Sequence, residues 1–281
     1  MSSNFFSPSA GTREKPLRQW VLLIAGILFW TISGAVITAV IYLYWSEPRA
    51  IWQEYVANFS AFIPLFLLLI LTPKILGRPM ITVLTSSKKF RWDLTWLGIW
   101  SWGALLVCET IYKLIQNPSA IDFVFPGISY LWPLLVSLIL LPIQTSSEEL
   151  LFRSAIPQTL STVLRNPIMV VVVSGVLFGA AHLSNPEAQQ EPLISLIGFS
   201  LTGIGWGWVA YKSGGLELAI GAHTINNFYA LLIVGYSNSA VPGASIWSTP
   251  EVDMQASTIS NFIMMGIWIF ALRRVLKINH K

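Results

Sequence analysis

Charge is what this chain has least of. Asp, Glu, Lys and Arg supply 11% of its 281 residues, against about a quarter in soluble domains, so an ordinary water-solvated globular fold is excluded. Cysteine is nearly absent. Cys108 stands alone, which rules out an internal disulfide and leaves it as a small packing residue in an apolar stretch. No internal repeat, low-complexity linker or long polar stretch appears, and no separate soluble domain is expected.

What is there instead is apolar. Hydrophobic residues make up 54% of the chain, with 13 tryptophans, and the mean hydropathy is +0.64. Segments of about 20 apolar residues cross a bilayer, and eight are predicted: 20–45, 55–73, 93–113, 129–146, 167–183, 192–211, 216–236 and 258–274. The expected fold class is therefore all-α, a polytopic transmembrane helical bundle of about eight spans. Trp20, Trp45, Trp92 and Trp132 fall near predicted span ends, where interfacial aromatics anchor. The first span is longer than a signal-peptide core and shows no clear cleavage site, so it is expected to remain.

The basic residues orient the bundle. With the N-terminus cytoplasmic, Arg13, Lys15, Arg18, Lys74, Arg78, Lys88, Lys89, Arg91, Arg153, Arg165, Lys212, Arg273, Arg274, Lys277 and Lys281 fall inside, leaving Arg49 and Lys113 outside. A split of 15 to 2 follows the positive-inside rule and puts both termini in the cytoplasm. The net charge of +4 thus reflects topology, and no nucleic-acid partner is implied.

Ionisable groups inside a membrane are costly and face a protein interior or a cavity. Three clusters qualify. Glu148, Glu149 and Arg153 read EExxxR, Phe178 to His182 reads FxxxH, and His223 to Asn227 reads HxxxN. His280, the remaining histidine, lies in the terminal tail. Glu149 and Arg153 are four residues apart on one helical face and can pair. Glu148 points about 100° away and finds no partner at i+3 or i+4, so it suits a general base. His223 and Asn227 project side by side, able to bind a metal or to stabilise an oxyanion. Glu109, beside Cys108, reads as a packing or structural residue. Each cluster alone has a bland reading: a structural ion pair, an interfacial histidine, a chance spacing. Together, in a chain this poor in charge, they point to a reactive or transport site.

In this order, as "EELLFR", "FGAAH" and "HTINN", the clusters resemble the intramembrane proteases of the CAAX-protease and bacteriocin-processing group (CPBP or Abi). The resemblance covers roughly residues 130–236. It implies that Glu148 activates water together with His182, that His223 and Asn227 steady the tetrahedral oxyanion, and that Glu149 and Arg153 form a supporting pair. One departure is Ser154, where the family often has glycine. The organisation expected is a cytoplasmic tail (1–19), scaffold helices (20–125), a protease core (126–240), and an external loop, last helix and basic tail (241–281).

The substrate expected is a peptide or membrane protein beside lipid, in a bacterial cell membrane. No oligomeric state is specified. No bound metal is favoured, because Arg153 would occupy one carboxylate. Zinc or another divalent ion on Glu148, His182 and His223 is the alternative. HExxH, GxSG and the aspartate of a GxGD motif are absent, which sets other intramembrane protease classes aside. A catalytically silent immunity or partner protein and a proton-coupled transporter remain the rival functions. Inverted repeats, which would favour the transporter, are not seen.

Two expectations concern depth. Arg153 and Arg165 suggest that the site reaches the cytoplasmic side. Straight spans, however, would leave His182 about 22 Å from the start of its helix, on the side opposite Glu148. A kinked or tilted fourth helix, broken at Pro142 or Pro157, and a conical cavity are expected to reconcile them.

Overall fold

The computed structural model describes residues 5–7, 16–45, 47–237, 239–250 and 253–277. Arg13, Lys15, His280 and Lys281 lie outside the described residues, as does the side chain of Lys277.

Helix α1 (Pro16–Tyr44) buries little beyond Gln19, Gly26 and Gly34 and leaves Leu28, Ile32, Val36 and Val40 exposed, as a lipid-facing helix does. Helices α2 (Ile51–Ser60) and α3 (Ile63–Ile75) form one apolar stretch with a break between them. Pro64 stands in the first turn of α3, where its missing N–H has no helical partner to lose. Then come α4 (Trp92–Gln116), β1 (Asp122–Phe123) and α5 (Leu131–Glu149). A π-helical turn (Leu150–Ala155) leads into α6 (Ile156–Leu160). After α7 (Pro167–Ala181) and the single turn α8 (Pro186–Gln189) come α9 (Pro192–Ser213) and α10 (Glu217–Leu232). Strands β2 (Val234–Tyr236) and β3 (Trp247–Thr249), then α11 (Met254–Ala271) and α12 (Arg273–Lys277), complete the described order.

The architecture is the expected all-α polytopic bundle, and the chain is an integral membrane protein. Among the described residues six helices are long and apolar enough to cross a bilayer: Pro16–Tyr44, Ile51–Ile75, Trp92–Gln116, Gly127–Leu160, Pro192–Ser213 and Met254–Ala271. The other two predicted spans are α7 and α10, with 15 and 16 residues. These two carry FxxxH and HxxxN. They can be short because much of their surface meets other helices, as the burial of Glu217 through His223 on α10 shows.

Membrane helices gain little hydrophobic energy from one another, so small residues that permit close approach decide which pairs pack. A Cβ on Gly175 of α7 would lie 2.6 Å from the backbone nitrogen of Ile204, and one on Gly203 of α9 would lie 2.7 Å from the carbonyl oxygen of Gly175. Helices α4 and α10 touch in the same way, with Gly98 against the Leu218 carbonyl and Gly221 against the Thr95 carbonyl.

The bundle has two distinct ends. At one, Arg18 donates to the Ile75 carbonyl, Trp20 to Thr162, Ser86 N–H to the Gly214 carbonyl and Leu216 N–H to the Leu84 carbonyl. At the other, Trp45 packs on Trp52 and Trp52 on Trp132, and the Tyr130 hydroxyl reaches the Leu232 carbonyl. There a small sheet in the order β1-β3-β2 ties the loops together. Asp122 pairs with Ser248 antiparallel, and Gly235 with Ser248 parallel.

Candidate active site

Glu148 and Glu149 close α5, and the π-helical turn begins at the next residue. Such turns insert an extra residue into the helical spiral and rotate the side chains beyond it to a new face. The expected irregularity therefore falls at neither proline. Pro142 sits inside α5 and Pro157 in the first turn of α6, without ending the helical run.

Glu149 is fully buried and Arg153 1% exposed. Arg153 Nη1 lies 3.2 Å from Glu149 Oε1. The guanidinium also stands 4.0 Å above the Phe178 ring centre and 5.5 Å from that of Trp206, a desolvated cation–π contact of about 2 kcal/mol. This gives the first letter of FxxxH a physical role. Arg153 is thus a buried partner and not a surface charge. The same Glu149 oxygen accepts a hydrogen bond from His223 Nδ1 at 2.7 Å.

Glu148 is not unpaired, contrary to the reading from i+3 and i+4 alone. Its partner is behind it: Gln144, at i−4, donates from Nε2 to Glu148 Oε1. Asn227 Nδ2 donates to Gln144 Oε1 at 3.3 Å, Asn226 Nδ2 to Asn227 Oδ1 at 3.3 Å, and Trp102 Nε1 to Asn226 Oδ1 at 3.1 Å. This relay of amides fixes one carboxylate oxygen. The other, Oε2, lies 3.6 Å from His223 Nε2.

His182 caps the C-terminus of α7. Its Nδ1 lies 2.8 Å from the Phe178 carbonyl. A carbonyl only accepts, so Nδ1 carries a proton and Nε2 is the ring nitrogen left to face the cavity. Phe178 and Phe199 hold the imidazole between ring centres at 4.3 and 4.7 Å.

The depth problem is solved by length. The helical run continues for six π-helical and five α-helical residues beyond Glu149, about 15 Å of descent. Helix α7 returns along it for 15 residues, about 22 Å. On the way Ser174 donates to the Phe152 carbonyl and Phe178 packs on Phe152 and Arg153. His182 therefore arrives at the cavity holding Glu148 instead of at the far membrane face.

Glu148, His182, His223 and Asn227 all line one cavity of about 410 Å³, with Gln144, Phe199 and Trp206 on its walls. On its wall, burial and then the charge of Glu187 push the Tyr236 hydroxyl above its ordinary range. Glu149 is committed to Arg153 and His223, and Gln144 holds one oxygen of Glu148. Among the described residues no three His, Cys, Asp or Glu are grouped to hold an ion.

Helix α10, which presents His223 and Asn227, is anchored by a pair that the basic-residue count passed over. Arg91 Nε donates to Glu217 Oε1 at 2.8 Å and Nη2 to Oε2 at 2.7 Å, while Nη1 donates to the Ser213 carbonyl at 2.8 Å. Bidentate pairing of this kind fixes geometry as well as charge. It pins the start of α10 beside the start of α4. Gln144 could have been found from its spacing to Glu148; Phe178, Trp206 and Arg91 act across helices and gave no such signal.

Residues 127–229 match the family described as type II CAAX prenyl endopeptidase Rce1-like. A curated relative, the "Uncharacterized protein YyaK" of Bacillus subtilis (strain 168), is 31% identical over 170 residues, 60% of this chain and 57% of that protein. The match thus spans little more than half of the relative's length. No solved structure matches. The resemblance read from the three motifs is borne out: residues 127–229 are similar to the CAAX prenyl endopeptidase family.

Proposed function

We propose, from that family placement and this cavity, that the protein is an intramembrane endopeptidase that hydrolyses a peptide bond with a water activated by Glu148. The observation that carries the reading is the convergence of Glu148, His182, His223 and Asn227 on one cavity. Both imidazoles are held through Nδ1 and turn Nε2 away from those anchors.

In this mechanism Glu148 takes a proton from water as the oxygen attacks the peptide carbonyl, and His182 Nε2 accepts a second hydrogen bond from the same water. His223, oriented by Glu149, and the Asn227 carboxamide stabilise the oxyanion. Preorganised donors of this kind each contribute about 10²–10³-fold in rate. Glu148 then delivers its proton to the leaving amine. Glu149 and Arg153 touch no substrate; they set the angle of His223. No step passes through a metal. Both termini lie in the cytoplasm in this reading, which the distribution of basic residues supports.

The test is Glu148→Gln, which keeps shape and removes the proton acceptor. Hydrolysis of a peptide reporter in membranes should vanish while the protein still accumulates and melts as wild type. Full activity in this variant overturns the assignment. If Glu149→Gln instead loses activity with its fold intact, the two carboxylates have exchanged roles.

A further inference from the structure

We infer that the active-site cavity has a side pocket that receives a basic side chain, lysine or arginine, of the polypeptide substrate, and that Glu187 selects it. The inference deepens the endopeptidase reading and rests on it for the identity of the occupant as substrate.

A second cavity, of about 220 Å³, lies between α4, α9, α10 and α11. It adjoins the first. Phe199, Asn226, Ala230, Tyr236, Asn261 and Glu187 line both and form a shared wall. That wall touches the proposed chemistry: the Phe199 ring centre lies 4.7 Å from that of His182, and Asn226 donates to Asn227. A peptide held beside Glu148 therefore has the second cavity as its neighbour and can send one side chain into it.

Glu187 stands where a charge is costly. It is 5% exposed. Asn185 Nδ2 donates to its Oε1 at 3.0 Å, while Oε2 has no hydrogen-bond partner among the described residues. The other carboxylates along the two cavities are provided for. Glu109 pairs with Lys113 at 2.9 Å and accepts from Ser260 at 2.8 Å. Glu148 is held by Gln144 and faces His223. Buried charges in folded proteins are paired or bound to cations. Water can satisfy the hydrogen bond of Oε2 but leaves its charge uncompensated, so the complementary group is a cation.

The remaining walls suit a long basic side chain. Leu106, Ala230 and Met254 offer apolar contact to its methylene stem, and the rings of Phe199 and Tyr236 can face its charged head. A neutral side chain of the same length fills the space but leaves Glu187 unpaired. Sites discriminate strongly when the wrong ligand leaves a buried polar group without its partner.

The probe is a set of fluorescent peptides in which one lysine is moved along an alanine–leucine host. Each is matched to a twin with norleucine at that position. Binding is measured to the full-length Glu148→Gln protein in maltoside micelles, which carry no charge and no ammonium headgroup. At one position the lysine peptide should bind about 10–100-fold more tightly than its twin, as a hydrogen bond to a charged group allows. Adding Glu187→Gln should bring the twins together. A merely structural role for Glu187 would weaken both alike and keep the ratio, which overturns the inference. No difference between twins at any position also overturns it, and that result needs no Glu187 variant to fold. Neither outcome touches the endopeptidase reading, which is decided by whether wild type cuts the peptides and Glu148→Gln does not. Conversely, a preference that depends on Glu187, alongside a fully active Glu148→Gln, sustains the pocket and defeats the chemistry.

Discussion

His223 Nδ1 and Arg153 Nη1 meet the same oxygen, Glu149 Oε1, at 2.7 and 3.2 Å. One carboxylate thus joins two motifs that lie 74 residues apart in the chain. It ties the imidazole facing Glu148 to an arginine that stacks on Phe178, and so the three motifs form one packed unit. Removing Arg153 or Glu149 leaves the other's charge stranded away from water.

Arg153→Ala should therefore destabilise the fold by about 3–5 kcal/mol, the usual cost of leaving one partner of a buried ion pair alone. The arginine nitrogens and Glu149 Oε2 have no hydrogen-bond partner among the described residues, so little else compensates. Thermal melts in detergent would show it. A wild-type melting temperature would mean that the pair is dispensable.

Gln144→Leu removes the amide that fixes Glu148 while keeping bulk. A hydrogen bond to a charged group is worth about 1.5–3 kcal/mol, so turnover should fall about 10–100-fold with the melting temperature near wild type. Unchanged turnover would show that Glu148 is positioned by other contacts.

His223→Ala should slow turnover by about 10²–10³-fold, as loss of one oxyanion donor does, and chelators should leave the wild type active. Stoichiometric zinc in purified active protein would contradict the metal-free mechanism while sparing the rest.

Gly175→Ala should destabilise the contact between α7 and α9, because the added Cβ meets backbone atoms of Ile204 that cannot yield without moving a helix. Gly266→Ala is the control, since nothing stands within 4 Å of that position. Equal melting temperatures for the two variants would show that the close approach is not needed.

Labels at positions 10 and 279 should report the same side of the membrane. These positions lie outside the described residues. Opposite sidedness would mean an odd number of crossings and would reverse the orientation argument.

Composition, and spacing within one helix, are what the sequence by itself could determine from. The scarcity of charge dictates a membrane bundle, because about 20 apolar residues in a row have no other stable environment. The four-residue spacing of Glu149 and Arg153 dictates their pairing, because helical geometry alone brings them together. Gln144 was legible in the same way, one turn before Glu148. The tertiary structure decided the rest. Which histidine meets Glu149, and which ring covers Arg153, depend on how closely α7, α9 and α10 approach, and glycine contacts set that distance. The depth of His182 depends on eleven residues that continue as helix past Glu149, a length that hydropathy does not mark. A charge read from sequence carries no burial, so only the folded bundle, with Arg153 against Phe178, turns a topology signal into a structural one.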